Sequence, residues 1–295
     1  MTDGGKASAP SAGRARLRAD ALREALPGGL WSSFAVVAST GSTNADLLAR
    51  GGPEGQVLLA EEQTAGRGRM GRSWVSVPGD SLTFSVLLRP SSVPPAQRGW
   101  LPLLTGVAVA AAVRSAAGVH ATLKWPNDVL AGERKLAGIL AEQSPDGSAV
   151  VVGVGLNAGT REGALPVSPT GLPATSLLAE GADVNRERVL IEILRQVERW
   201  YLAFRSDPDP VRTGLLAEYR SLCGTLGRAV RVELPAGRVL AGTATGIDPS
   251  GHLEVTEPGS VRPANVAAGD VIHLRLVPPG HRIRPGRVSL RWRRR

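Results

Sequence analysis

Residues 60–74 read AEEQTAGRGRMGRSW, and positions 66–72 alone hold three glycines and three arginines. Guanidinium forks pair bidentately with carboxylate or phosphate, and glycine lets a backbone close tightly over what it binds. The stretch is not a P-loop, because no Gly-Lys-Ser/Thr follows at the required spacing. Nor is it a dinucleotide fingerprint, which needs a helix opening directly from it. Two readings remain: a solvated flexible linker, or a mobile loop that orders over a ligand carrying several negative charges.

Three further stretches carry candidate chemistry. In GSTNADLLA (41–49), Ser42, Thr43 and Asn44 crowd a helix entrance. Thr43 is placed as N-cap with Asp46 three residues on, which leaves two side chains for a small polar ligand. In KWPNDVL (124–130), Pro126 makes Trp125 extended and ends a strand. Asn127 and Asp128 then form either a plain turn or a site at a strand end, where open sheets place ligands. In ERKLAGIL, Lys135 opens an apolar strand, so its stem packs and its ammonium is aimed at one place. His120, His252, His273 and His281 are dispersed and match no metal-ligand spacing; they read as surface or internally satisfied residues.

These residues need a scaffold. Strands are expected at 34–39, 57–63 and 82–89, with a short helix between the first two that Gly51 closes. An apolar, buried helix covers 99–117. KLAGILAEQ (135–143) and AVVVGVGLN (149–157) form a hairpin apolar enough for the centre of a sheet. An amphipathic helix follows at 185–207, capped by Asn185, and another at about 209–222. After Gly227 come five short strands, RAVRVEL, RVLAGTATGID, HLEVTE, SVRPAN and VIHLRLV, with the texture of a small barrel. The expected organisation is a basic disordered segment at 1–18, a catalytic unit at 19–224, a small barrel at 225–277 and a disordered Arg-rich tail at 278–295.

Composition narrows the class. With 295 residues and 42% hydrophobic content, the chain buries a substantial core. Its formal charge of +9 is confined to the ends: residues 278–295 hold seven arginines and no acid, and residues 1–18 hold four cations against Asp3. The body between them is close to neutral. That distribution, with no aromatic stacking platform, argues against the alternative of a nucleic-acid-binding protein. A single cysteine forbids an intrachain disulfide. No signal-peptide core is visible, and the most apolar run is broken by Pro102 and Gly106, so a soluble, cytoplasmic protein without membrane partners is expected.

Taken together, STN, EEQTAGRGRMGRSW, KWPND, RKLAGIL, VGVGLN and, more weakly, ATSL (174–177) appear in an order and spacing that resembles the biotin protein ligases, from about residue 36 to 277. The resemblance implies an α+β fold, a mixed sheet backed by helices (class II synthetase-like) followed by an SH3-like barrel. It implies formation of biotinyl-5′-AMP from biotin and ATP with Mg²⁺, then transfer of biotin to a lysine of the biotin carboxyl carrier domain of biotin-dependent carboxylases. A lipoate-type ligase shares the fold and chemistry, but its double-arginine, triple-glycine stretch is absent.

By the same resemblance, Ser42, Thr43, Asn44, Gln63, Gly66, Arg67, Gly68, Arg69, Lys135 and Gly138 are biotin contacts. Arg69, Arg72, Trp74, Asn127, Lys135 and Asn157 are nucleotide contacts, and Arg67, Arg69, Lys135 and Asp128 carry the chemistry. Protein ligands for the metal are unassigned. Some 35 residues before the first strand are too few for the DNA-binding domain found in many members, so a monofunctional enzyme without specific DNA binding is expected, and a homodimer is open.

Overall fold

The computed structural model describes residues 16–165, 172–234 and 237–273. The expected tail at 278–295 and residues 1–15 of the expected N-terminal segment lie outside them. A seven-stranded mixed sheet forms the larger unit, in the order β1-β2-β3-β7-β6-β5-β4. Its strands are β1 (Ser33–Val37), β2 (Gln56–Ala60), β3 (Ser81–Leu88), β4 (Ala121–Lys124), β5 (Asp128–Ala131), β6 (Arg134–Gln143) and β7 (Val150–Asn157). Only β1 and β2 pair in parallel. The β6–β7 hairpin is central, as its apolar run requires.

One face of the sheet carries the main core. Helix α3 (Trp100–Ala117) lies on it with α4 (Arg186–Ser206) and α5 (Leu215–Leu222). Residues 95–117 are, by length and composition, apolar enough to cross a membrane, despite Pro102 and Gly106. In the fold they are the centre of the core, with Trp100, Leu104 and Val107 fully buried. Removing such side chains from water contributes roughly 1.5–3 kcal/mol each. Asn185 caps α4, accepting from the Arg188 N–H at 2.9 Å. Helix α5 starts later than its sequence suggests because Asp209 takes the backbone N–H groups of Val211 and Arg212 into a local turn. The opposite face holds α2 (Thr43–Arg50), whose Leu47 packs on Leu58, Leu87 and Val151.

Three features differ from the sequence reading. Order begins earlier: Leu17 is buried and its N–H donates to Glu61 at 3.0 Å, and a short helix α1 (Ala19–Ala25) buries Leu22. Segment 128–131, four residues with no turn signal after Pro126, is the strand β5 rather than part of a turn. The strand expected over SVRPAN is shifted to 264–266, past Pro263, which has no N–H to give to a ladder.

The smaller unit is a five-stranded antiparallel sheet, in the order β11-β10-β9-β8-β12, with the SH3-like arrangement expected. It comprises β8 (Ala229–Glu233), β9 (Val239–Ile247), β10 (Leu253–Thr256), β11 (Ala264–Val266) and β12 (Asp270–His273). Two buried tryptophans of the larger unit fasten it: Trp100 Nε1 donates to Pro249 O at 2.9 Å and Trp125 Nε1 to Gly251 O at 3.0 Å.

Candidate active site

Sheet register builds the floor of a cavity of about 990 Å³. Cross-strand partners share a face. One row across the sheet runs Asp128, Gly138, Gly155, Thr83; the next runs Leu140, Gly153, Ser85. Two of these glycines are there because large groups lie directly on the backbone. A Cβ on Gly155 would fall 2.2 Å from the Trp74 ring, and one on Gly153 2.3 Å from the Asn44 amide oxygen. The glycines of VGVGLN thus seat Trp74 and Asn44 against the sheet.

Over the second row stands a neutral polar network. The α2 cap is Ser42, whose Oγ accepts from the Ala45 N–H, and not Thr43 as its spacing to Asp46 suggested. The true cap lies one residue earlier, which frees Thr43. Its Oγ1 lies 2.7 Å from Ser85 Oγ and 3.0 Å from the Gln63 side-chain oxygen, which also accepts the Thr43 backbone N–H at 2.8 Å. Ser85 donates to Asn44 Oδ1 at 2.6 Å, and Asn44 Nδ2 donates to the Glu142 carboxylate at 2.8 Å.

The Gly/Arg segment is a hairpin rather than an irregular loop. Trp74 N–H donates to Gly66 O, Gly68 N–H to Arg72 O, and Arg72 N–H to Arg69 O. Met70 and Gly71, at φ 56° and 72°, occupy its turn, the two left-handed positions of a type I′ turn. Gly66 is needed because a Cβ there would meet Trp74 O at 2.4 Å. Arg67 approaches Glu142 at 3.8 Å. Arg69 donates to Asn127 Oδ1 and Gly269 O at 3.4 and 3.5 Å, and Arg72 is paired with Asp270 of the smaller unit. Burial pulls the Arg69 guanidinium below its usual value, with Asp128 opposing the shift.

A second cationic group surrounds Asp128, which is buried. Lys135 Nζ lies 2.7 Å from one of its oxygens and Lys124 Nζ 3.9 Å from the other. Burial lowers the Lys124 ammonium, Asp128 opposes that, and the neighbouring cations Lys135, Arg72 and Arg69 add to it. Trp74 lies under Lys135, the ammonium 5.8 Å from its ring centre.

Every predicted contact residue except Gly66 lines this one cavity. Some are already engaged. Asn157 spends its amide on Thr175 O at 2.9 Å, and Asn127 donates to Ile139 O at 3.1 Å. The weak ATSL motif borders a backbone clamp. Lys135 N–H donates to Pro173 O and Thr175 N–H to Lys135 O, which fixes the backbone beneath the lysine. Lys124, Ser85, Glu142, Asp270 and His273 were not singled out by type and spacing. Ser85 and Thr83 left a trace, as the polar residues at alternate positions of an apolar strand. Asp270 and His273 come from a sheet more than a hundred residues away, and nothing local marks them.

A sequence model of the biotin/lipoate A/B protein ligase family matches residues 33–157, and one of the biotin protein ligase C-terminal domain matches residues 225–274. The biotin--[acetyl-CoA-carboxylase] ligase of Mycobacterium tuberculosis is 44% identical over 253 residues, 83% of this chain and 90% of that protein. The chain belongs to the biotin protein ligase family. Within that family it is also similar to the bifunctional ligase/repressor BirA of Bacillus subtilis, at 34% identity over 74% of this chain and 66% of the relative. The biotin protein ligase of Aquifex aeolicus, solved in complex with biotin and ATP, superposes with a TM-score of 0.70 at 29% identity, covering 83% of this chain and all of the other.

Proposed function

We infer that the protein is an ATP-dependent biotin protein ligase, which forms biotinyl-5′-AMP with release of pyrophosphate and then transfers biotin to a lysine of a carboxyl carrier domain. The observation that carries this reading is the meeting, in one cavity, of a neutral polar network (Thr43, Asn44, Gln63) with a ring of cations (Arg67, Arg69, Arg72, Lys124, Lys135). The first suits a cyclic urea and the second a carboxylate brought against a triphosphate.

The first step needs no base, because a carboxylic acid of ordinary acidity is ionised at pH 7. Its obstacle is repulsion between anions, roughly 4 kcal/mol per like-charge pair at 4 Å and an effective dielectric near 20. Lys135 and Arg69 offset this repulsion where the two anions meet, and Asp128 holds Lys135 and Lys124 in place. Mg²⁺ supplies further neutralisation of the phosphates. Such a cation would arrive with the nucleotide, held chiefly by its phosphate oxygens.

The second step requires a lysine amine, mostly protonated at pH 7, to lose its proton at a cost of about 4–5 kcal/mol. Asp128 is the carboxylate placed to assist. Purified protein incubated with ATP and either biotin or lipoate, then analysed by mass spectrometry, tests the reading. A bound biotinyl-adenylate is expected; a lipoyl-adenylate would reassign the acid.

A further inference from the structure

Glu142, near the end of β6, reaches two parts of the site at once. One carboxylate oxygen accepts from Asn44 Nδ2 at 2.8 Å, and the other lies 3.8 Å from the Arg67 guanidinium. Leu140 O accepts from the same Nδ2 at 3.2 Å. A carboxylate and a backbone carbonyl can only accept, so the Asn44 amide oxygen must face the other way, towards Ser85. The Ser85 hydroxyl donates to it at 2.6 Å.

A hydroxyl has one proton to give. That of Ser85 is committed to Asn44, so across the 2.7 Å contact between Ser85 and Thr43 the donor is Thr43. Thr43 then has none left for the Gln63 side-chain oxygen 3.0 Å away. Gln63 cannot turn its amide round, because that oxygen holds the Thr43 backbone N–H at 2.8 Å. Two oxygens are left side by side on the cavity wall, both as acceptors. An acceptor pair is completed by an N–H group from a ligand.

We propose that Glu142 is a positioning residue that sets the direction of this hydrogen-bond chain and so makes Thr43 and Gln63 an acceptor pair for a ring N–H of the cyclic urea. The proposal rests on the biotin reading above. With the chain running the other way, Thr43 would donate to Gln63, and the ring N–H would find that oxygen already served. The carboxylate, with the Leu140 carbonyl beside it, enforces the direction through Asn44 and Ser85, without touching the ligand.

Glu142→Gln keeps the side chain's size but offers Asn44 a donor as well as an acceptor, and so leaves only the longer bond to Leu140 O, at 3.2 Å, to hold the direction of the chain. Its KM for biotin should rise about tenfold, with kcat and the KM for ATP unchanged. Ser85→Ala cuts the same chain one link further on and should act similarly. The double variant should be no worse than the weaker single one, because both changes sever one relay. Melting temperatures within a few degrees of wild type exclude a folding defect. Additive losses in the double variant, or an unchanged biotin KM in folded Glu142→Gln, would overturn the proposal while leaving the ligase reading intact. A wild-type protein that releases no pyrophosphate from ATP and biotin would overturn both.

Discussion

Lys135 shows what a single residue does here that its type alone does not reveal. Its ammonium lies over the Trp74 ring, its backbone is clamped by the 173–175 segment and Asp128 pairs with it at 2.7 Å, so the ammonium is aimed by three separate constraints. Lys135→Ala should leave the fold intact and reduce pyrophosphate release at least a hundredfold, which a coupled pyrophosphate assay would measure. Near-normal release by a folded variant would remove Lys135 from the first step. Asp128→Asn separates two roles. If the carboxylate assists the incoming amine, transfer to a carrier domain should fall more than adenylate formation in single-turnover assays; equal losses would make it a holder of Lys124 and Lys135 only. The sequence made Lys135 and Asp128 legible because a charged residue bordering an apolar strand stands out. Thr43 was legible as a polar residue at a helix entrance, but the cap role assigned to it belongs to Ser42, since the acidic residue three positions on favours Thr43 and only the extended backbone at Ser42 shows where the helix begins.

At the scale of elements, the floor of the site depends on strands aligned so that residues without side chains come under large ones. Gly153→Ala places a methyl group where the Asn44 oxygen sits. Overpacking of this kind costs about 1–3 kcal/mol, and a lowered melting temperature together with a raised biotin KM is the expected pair of results. A lowered melting temperature alone would mean that Asn44 can move without loss to the ligand. The Gly/Arg hairpin gives the opposite kind of prediction. Met70 is a non-glycine residue in left-handed backbone, which costs about 1 kcal/mol, and Asn-Gly is the preferred pair for its turn. Met70→Asn should slow hydrogen exchange at the Arg72 amide severalfold. The sequence displayed the glycines and arginines but not the pairing, because a two-strand ribbon of seven to nine residues carries no apolar alternation to announce it. The β6–β7 hairpin, by contrast, was readable from the near-continuous apolar run of KLAGILAEQ and AVVVGVGLN.

On the scale of the whole molecule, the two units share the cavity: Arg72 meets Asp270, and Thr225, whose hydroxyl accepts from the Trp125 backbone N–H at 3.1 Å, lies 3.0 Å from His273 Nε2. Burial, with Lys124 and Arg228 nearby, brings the His273 imidazole down to about 4, against 6.5 for a free one. The unfolded chain therefore binds a proton that the folded chain refuses, so stability is full above about pH 6.5 and falls as pH drops towards 4. The group is partly exposed, so the effect is on the order of 1 kcal/mol. His273→Asn should flatten that part of the melting-temperature profile, and an unchanged slope would place the acid sensitivity elsewhere. The docking of the barrel turn on Trp100 and Trp125 has an optical counterpart. Of the six tryptophans, Trp31, Trp100 and Trp125 are shut away from solvent, whereas Trp74 lines the cavity with a cation over its ring. A ligand that settles there changes the surroundings of that one indole far more than those of Trp31, Trp100 and Trp125. Intrinsic fluorescence should therefore respond to occupancy of the site, and in Trp74→Phe most of the response should disappear while the steady emission of the buried tryptophans persists.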